Sequence, residues 1–292
     1  MAQSESTLQD AQDPLISVEN VTYTYPHAAP HVPVTPALNR LTLSIRRGEY
    51  VAILGHNGSG KSTLARMLNG LLVPDTGRVL VEGQDTHDQR ALPAIRALVG
   101  MIFSDPENQI IATTVEDDIG WGLAARGVPR DEVTRRVDAV IRATGLSSLR
   151  TATPNALSGG QKQRLAIAGI LALEPDCIVA DEPTALLDPQ TRRDVIRLLH
   201  ALHRDRGLTV IHITHLLEEA AEADRIVILD RGTIRWDATP AVVFANLDPL
   251  RELRLVIPEL FELGHRLRAL GVPLPTDAVT PDAIVSWLER RP

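Results

Sequence analysis

The sequence predicts an α/β fold: a parallel sheet at the centre, an antiparallel β part ahead of it, an inserted helical part and a small helical C-terminal extension. Three observations predict it. The apolar run Tyr50–Leu54 passes directly into the glycine-rich stretch GHNGSGKST. The run CIVA at 177–180 is apolar without alternation and ends in Asp181 and Glu182, the pattern of a strand covered on both faces. The run TVIHITH follows a helical stretch and ends at His215, so strand again follows helix.

Taken in order, the first thirteen or fourteen residues are polar and read as a disordered segment, 1–14. Ile16 to Tyr25 and the alternating Leu41, Leu43 and Ile45 read as antiparallel strands joined by a proline-rich loop, in which His27 and His31 are expected to be solvated. Strands near 50–54 and 99–103 precede an inserted helical part at about 105–165, where Val133, Val137 and Ile141 recur at helical spacing. A helix beginning near Pro189 is expected to bury Val195, Leu198, Leu199 and Leu202 and to stop at Gly207. Strands at 209–213 and 225–229 complete a body spanning 15–236. The remainder, 237–292, reads as short helices with Phe244, Leu260, Leu263, Leu267 and Leu270 as their apolar faces.

Strand, glycine-rich loop and helix in succession make a phosphate cradle. Gly55, Gly58 and Gly60 permit the tight turn, and His56, Asn57 and Ser59 fill the positions between them. Backbone N–H groups and the positive helix end at Lys61 then face the phosphates of a nucleotide such as ATP. Lys61 adds a point charge, Ser62 a hydroxyl for magnesium, and Thr63 completes the motif. Lys61 and Lys162 are the only lysines in the chain. Ligands gather at the carboxyl ends of strands in such sheets, so Asp181 is placed to hold magnesium through water and Glu182 to polarise an attacking water.

LSGGQ, at 157–161, lies outside that cradle. Ser158, Gly159 and Gly160 precede the helical run that starts at Gln161, so they form a second helix N-terminus with free N–H donors. With these motifs in this order the chain resembles the ATP-binding cassette (ABC) ATPases over about residues 15–235. The resemblance implies a P-loop NTPase (RecA-like) core, and head-to-tail dimers in which one subunit's phosphate loop and the other's LSGGQ enclose ATP and Mg2+. It also implies that Tyr25 stacks on adenine, that Asp188 is the acid of the loop after the catalytic Glu182, and that His215 contacts the γ-phosphate. His212, on the same strand, is expected to be packed or solvated, and of Tyr23 and Tyr25 only one need reach a base.

A narrower resemblance, carried by VGMIFSDPENQIIATTVEDDIGWG at 99–122, is to the ATPases of energy-coupling factor (ECF) transporters, which power vitamin and metal-ion uptake. It implies that this segment, Gln109 included, faces a transmembrane coupling subunit working with a substrate-capturing membrane subunit. The C-terminal extension would help join two ATPase subunits, identical or different, and a packing lid on the core is the other reading. One departure from the pattern is Ser104, where most of the family has glutamine. Ser104 is expected to act through water rather than directly, with Gln109 as a less favoured substitute, and hydrolysis is expected to be slow or to depend on a paired second ATPase.

A formal charge of −7 gives no basic footprint for nucleic acid. The single cysteine, Cys177, reads as a small buried apolar residue and suits a reducing compartment. No apolar run reaches the eighteen or so residues of a membrane span, and the N-terminus lacks the pattern of a secretory leader, so a peripheral place on the cytoplasmic face of the membrane is expected. Another type of ABC transporter ATPase, or a soluble cassette protein acting on nucleic acid or ribosomes, are the alternative readings.

Overall fold

A computed structural model describes residues 13–26, 35–275, 285–287 and 289–290. The expectations for the N-terminal segment up to residue 12 and for His27 and His31 lie outside the described residues. Strand β1 (Ile16–Tyr23) pairs antiparallel with β2 (Leu38–Ile45), where Leu38, Leu41, Leu43 and Ile45 point inward while the residues between them face water. The fully buried β3 (Tyr50–Leu54) leads through the glycine-rich loop into α1 (Lys61–Leu68). Next come β4 (Thr76–Val81), β5 (Gln84–Asp85), α2 (Leu92–Leu98) and β6 (Val99–Ile102). The helical insertion holds α3 (Val115–Ala125), α4 (Arg130–Ala143) and α5 (Gly159–Ala172). It is followed by β7 (Cys177–Asp181), α6 (Pro189–Arg206), β8 (Thr209–Thr214), β9 (Arg225–Asp230) and β10 (Thr233–Ala238). Three short helices close the described core: α7 (Pro240–Ala245), α8 (Asp248–Glu252) and α9 (Glu259–Ala269).

Two sheets result. One is antiparallel, in the order β2-β1-β4-β5. The other runs β10-β9-β3-β8-β7-β6, with only the β10–β9 pair antiparallel. Residues on alternate sides of the parallel strands enter different cores. Val51 and Ile53 of β3, with Val179 of β7, pack beneath α1 and the antiparallel sheet. Tyr50, Ala52 and Leu54, with Ile178 and Ala180, face the helical insertion and α6. Burial on both faces is what an unbroken apolar strand demands.

Local chemistry sets the helix limits. Asp188 caps α6 by accepting N–H bonds from Gln190 and Thr191, Pro189 occupies its first turn, and Gly207 ends it at φ 64°. Thr114 caps α3, whose first turn carries Glu116, Asp117 and Asp118 against the positive helix end.

Several expectations change on contact with the structure. Cys177 is buried as expected and opens the strand that Asp181 closes. Leu198 is only partly buried on α6. In the C-terminal part Phe261, not Leu263, is the inward residue: it stacks on Phe244 with centroids 4.4 Å apart, while Leu263 and Leu270 are exposed. Phe244, Leu247, Leu250, Leu255 and Phe261 join the same apolar cluster as the helical face of the parallel sheet. No helix among the described residues is long and apolar enough to cross a membrane.

Candidate functional site

The turn between β3 and α1 is possible only with glycine at its tightest point. Gly60 has φ 105°, and a Cβ there would meet the Ala37 carbonyl oxygen at 2.5 Å. The loop this creates wraps the Lys61 side chain, which is 4% exposed and donates to the carbonyls of Gly55 at 2.8 Å and His56 at 3.1 Å. Asn57 and Gly58 form the exposed tip, whereas Ser59 is fully buried. His56 is braced from a strand that sequence reasoning did not connect to it: Nε2 lies 2.9 Å from Asp230 Oδ1 at the end of β9, and Nδ1 lies 2.7 Å from Asn57 O. That contact with His56, chiefly, holds the Asp230 carboxyl below the usual range.

β7 lies two strands from β3, with β8 between them, and its end brings the two acids to this loop. Ser62 Oγ donates to Asp181 Oδ1 at 3.0 Å. Burial pushes the Asp181 carboxyl up, and the Ser62 hydroxyl opposes it. Burial likewise pulls the Lys61 ammonium down, against the charges of Glu182 and Asp181. A hydroxyl and a carboxylate side by side are the hard oxygen donors magnesium prefers, and no cluster of three or more His, Cys, Asp or Glu competes for a metal among the described residues. The donor set therefore fits magnesium held by few protein ligands, as is usual beside phosphates.

Glu182 stands at the centre of the arrangement. Its Oε1 is 3.7 Å from Lys61 Nζ and its Oε2 is 3.4 Å from His215 Nδ1. Its backbone takes φ 49°, the left-handed region a non-glycine residue enters at a cost of about 1–3 kcal/mol. The Glu182 N–H bond to the Ile213 carbonyl at 2.9 Å holds that turn beside β8.

Tyr25 lies just past β1, 40% exposed, with its hydroxyl 3.1 Å from Thr63 Oγ1 and its ring edge-on to Tyr23 at 5.0 Å. Of the two tyrosines it is the one tied to the phosphate loop. Asp188 spends its carboxylate on the α6 cap and on the Thr191 hydroxyl at 2.5 Å, bonds that lower its pKa.

At the start of α5, Ser158 and Gln161 form a reciprocal capping box: the Gln161 side chain accepts the Ser158 N–H at 2.9 Å, and Ser158 Oγ accepts the Gln161 N–H at 3.4 Å. Ser158 and Gly159 are exposed. Gly160 is not: it is buried, and a Cβ there would fall 2.0 Å from Thr191 Cγ2. It is therefore a packing glycine between α5 and α6 as well as part of the cap.

Gln109 does not face outward, nor does it reach for Ser104's role. Its side-chain oxygen accepts the Phe103 N–H at 2.9 Å and its amide donates to the Met101 carbonyl at 3.0 Å, so it pairs with β6 as a strand would. Ser104 is exposed at the rim of a cavity of about 400 Å³ shared with Gly159, Lys162, Gln163 and Pro183. Lys162 reaches from α5 to Glu107 in the 104–109 loop and lowers the pKa of that carboxyl. Sequence reasoning missed Asp230, and also a buried cluster around Glu219 described below. His212, expected to be packed or solvated, is packed: it is fully buried with Tyr50 Oη 3.2 Å from its Nδ1.

Comparison with known proteins shows the family. The ABC transporter family model matches residues 38–185. The ECF transporter ATP-binding protein EcfA1 of Symbiobacterium thermophilum is 49% identical over 278 residues, covering 94% of this chain and 97% of its own length. The chain belongs to the ATP-binding proteins of ECF transporters, in the ABC transporter family. EcfA of Methanosarcina acetivorans is 46% identical over 261 residues, 89% of this chain and 92% of the relative. Among solved structures, cbiO1 of Clostridium perfringens, part of the ABC transporter complex cbiONQ, superposes with a TM-score of 0.73 at 34% identity, covering 86% of this ECF ATPase and 99% of that chain. A dimeric, post-hydrolysis form of the cassette MJ0796 bound to ADP and Pi gives 0.69 at 32%, covering 77% and 98%. The fold and the ATPase character expected of the sequence stand, and this ECF ATPase binds and hydrolyses ATP.

Proposed function

We propose that the chain drives uptake of a small solute, a vitamin or a metal ion, by closing against a second cassette around ATP and reopening after hydrolysis. The observation that carries the reading is the meeting of Lys61, Ser62, Asp181, Glu182 and His215 at one end of the parallel sheet, together with a second, exposed helix cap at Ser158 and Gly159. Each chain would thus offer one phosphate loop and one cap, and two chains placed head to tail complete two nucleotide sites. Moving such a pair from one per cent to ninety-nine per cent closed takes about 5.5 kcal/mol of differential binding, within reach of two shared nucleotides.

In this mechanism Lys61 and the loop N–H groups hold the phosphates, and Tyr25 takes the base. Ser62 and Asp181 would hold magnesium, which neutralises phosphate charge when bound. Glu182, fixed between Lys61 and His215, orients water and accepts its proton, while His215 steadies the γ-phosphate. Asp188, committed to the α6 cap, shapes the loop after Glu182.

The outlet for the motion is the groove between α3 and α4. It encloses about 650 Å³, is lined by Thr113, Glu116, Trp121, Arg130, Val133 and Arg150, and has Trp121 57% and Ile111 62% exposed at its edge. An apolar rim with charged walls suits an amphipathic helix of a membrane subunit, and the ATPase then works peripherally at the membrane's inner face. The exposed Val256 and Leu270 of the C-terminal part are the second contact, toward the other ATPase. Trp121→Glu should weaken capture by the membrane subunits by roughly 2 kcal/mol, about 30-fold, and leave ATP binding by the isolated chain unchanged; undiminished co-purification would defeat the docking assignment.

Ser104 bears on the rate. Gln109 is engaged with β6, so it does not take the place that Ser104 leaves. Ser104→Gln in the assembled complex is expected to raise ATP turnover by about tenfold, the worth of one added hydrogen bond to a charged centre. An unchanged rate would show that Ser104 does not limit hydrolysis.

A further inference from the structure

We infer that Glu219 is a positioning residue for hydrolysis, a buried carboxylate that fixes the spacing of Glu182 and His215 by gripping Thr184 and Thr214. The inference rests on the roles proposed above for Glu182 and His215.

Glu219 sits in the turn Leu217–Ala220, 3% exposed, where an unpaired charge would be costly. It is fully engaged. Its Oε1 accepts the Thr184 hydroxyl at 2.6 Å and its Oε2 accepts the Thr214 hydroxyl at 2.6 Å. His212 Nε2 lies 3.3 Å from Oε2, and Arg192 Nε of α6 lies 3.8 Å from Oε1. Thr184 follows Glu182 by one intervening proline, and Thr214 immediately precedes His215. A single carboxylate therefore joins the two segments that carry the facing pair Glu182 and His215.

The arrangement is braced on its far side. Tyr50 Oη, 3.2 Å from His212 Nδ1, leaves Nε2 for Glu219, and the Tyr50 ring stacks on His200 at 4.3 Å. Thr214 Oγ1 also accepts the Leu216 N–H at 3.1 Å, so the same hydroxyl shapes the turn that presents His215. Burial disfavours the Glu219 anion, but His212 and the two threonine hydroxyls outweigh it and hold the carboxyl down at about 2. The carboxylate accepts both hydroxyls at once; an amide keeps one oxygen and puts an NH2 in place of the other, so one threonine hydroxyl must give up the bond it donates and accept instead.

The test is steady-state ATP hydrolysis by the full-length chain assembled with its partner subunits. Glu219→Gln should lower kcat by about 10- to 100-fold, the effect of a small misplacement, and leave the KM for ATP within about twofold, because the phosphate loop does not depend on it. Thr184→Val and Thr214→Val should each lower kcat, and neither should add to the Glu219→Gln loss. A kcat near the parent value, a parallel rise in KM, or additive losses would overturn the inference. Should Glu219→Gln fail to fold, Thr184→Ser and Thr184→Val decide: serine keeps the hydroxyl and should keep the rate, valine should lose it, and equal rates sink the idea. Glu182→Gln run alongside separates the two layers. If it still turns over, the roles of Glu182 and His215 are wrong and the inference falls with them; if it is inactive while Glu219→Gln is at full rate, only the present inference fails.

Discussion

Glu182→Gln is expected to cut ATP turnover by about 10²- to 10⁴-fold, the range for loss of a general base, while ATP still draws the two cassettes together. The change is nearly isosteric, so the side chain keeps its place between Lys61 Nζ and His215 Nδ1, and glutamine meets the φ of 49° no worse than glutamate. What disappears is the negative charge that accepts a proton. Nothing that grips phosphate is touched: Lys61, Ser62 and the loop N–H groups stay as they are. Turnover of the assembled complex and its association state in ATP, measured by light scattering or gel filtration, check the two halves separately. Turnover within about threefold of the parent would remove Glu182 from the chemistry, and failure to associate in ATP would move its role into closure.

A large effect on stability is expected from Gly160→Ala. An added Cβ lands 2.0 Å from Thr191 Cγ2. Thr191 cannot simply rotate, because its hydroxyl is bonded to Asp188 and its N–H to the same carboxylate. Either α5 withdraws from α6 or the α6 cap breaks, an overpacking cost of about 1–3 kcal/mol, read as a drop in Tm of roughly 5 °C. Thr191→Ser removes the offending methyl and keeps the hydroxyl, so the double substitution should recover most of the loss. A double variant no more stable than Gly160→Ala alone would place the strain elsewhere. ATPase activity should follow stability only in part, since the displaced helix end carries Ser158 and Gly159.

These two sites differ in how openly the sequence declares them. Lys61, Asp181 and Glu182 were legible because each closes or follows a strand whose apolar run is uninterrupted. β4, β5, α2 and β10 were not: Thr76–Val81 is half exposed, Thr233–Ala238 is mostly half-buried, and both are mixed in character, so no period stands out. The C-terminal faces were half legible, since Leu263 and Phe261 both sit at plausible helical positions and only packing against Phe244 chooses between them. Glu219 could not be read at all, because the threonines it joins approach it across an adjacent strand and a loop 35 residues away. The one hint was His212, a histidine with no surface reason to lie in a strand of buried residues. Gly160 was read for its backbone donors, and its second reason, the nearness of Thr191, belongs to tertiary structure.

The side chain of Gln109 has one further bearing, on how the protein behaves in a crowded solution. β6 is the last strand of the six-stranded sheet, and a bare rim of that kind recruits extended chains from neighbours. By occupying the Met101 carbonyl and the Phe103 N–H, the amide of Gln109 acts as a built-in terminator. The ATPase can therefore carry a short, wholly apolar outermost strand without inviting sheet-to-sheet aggregation through it.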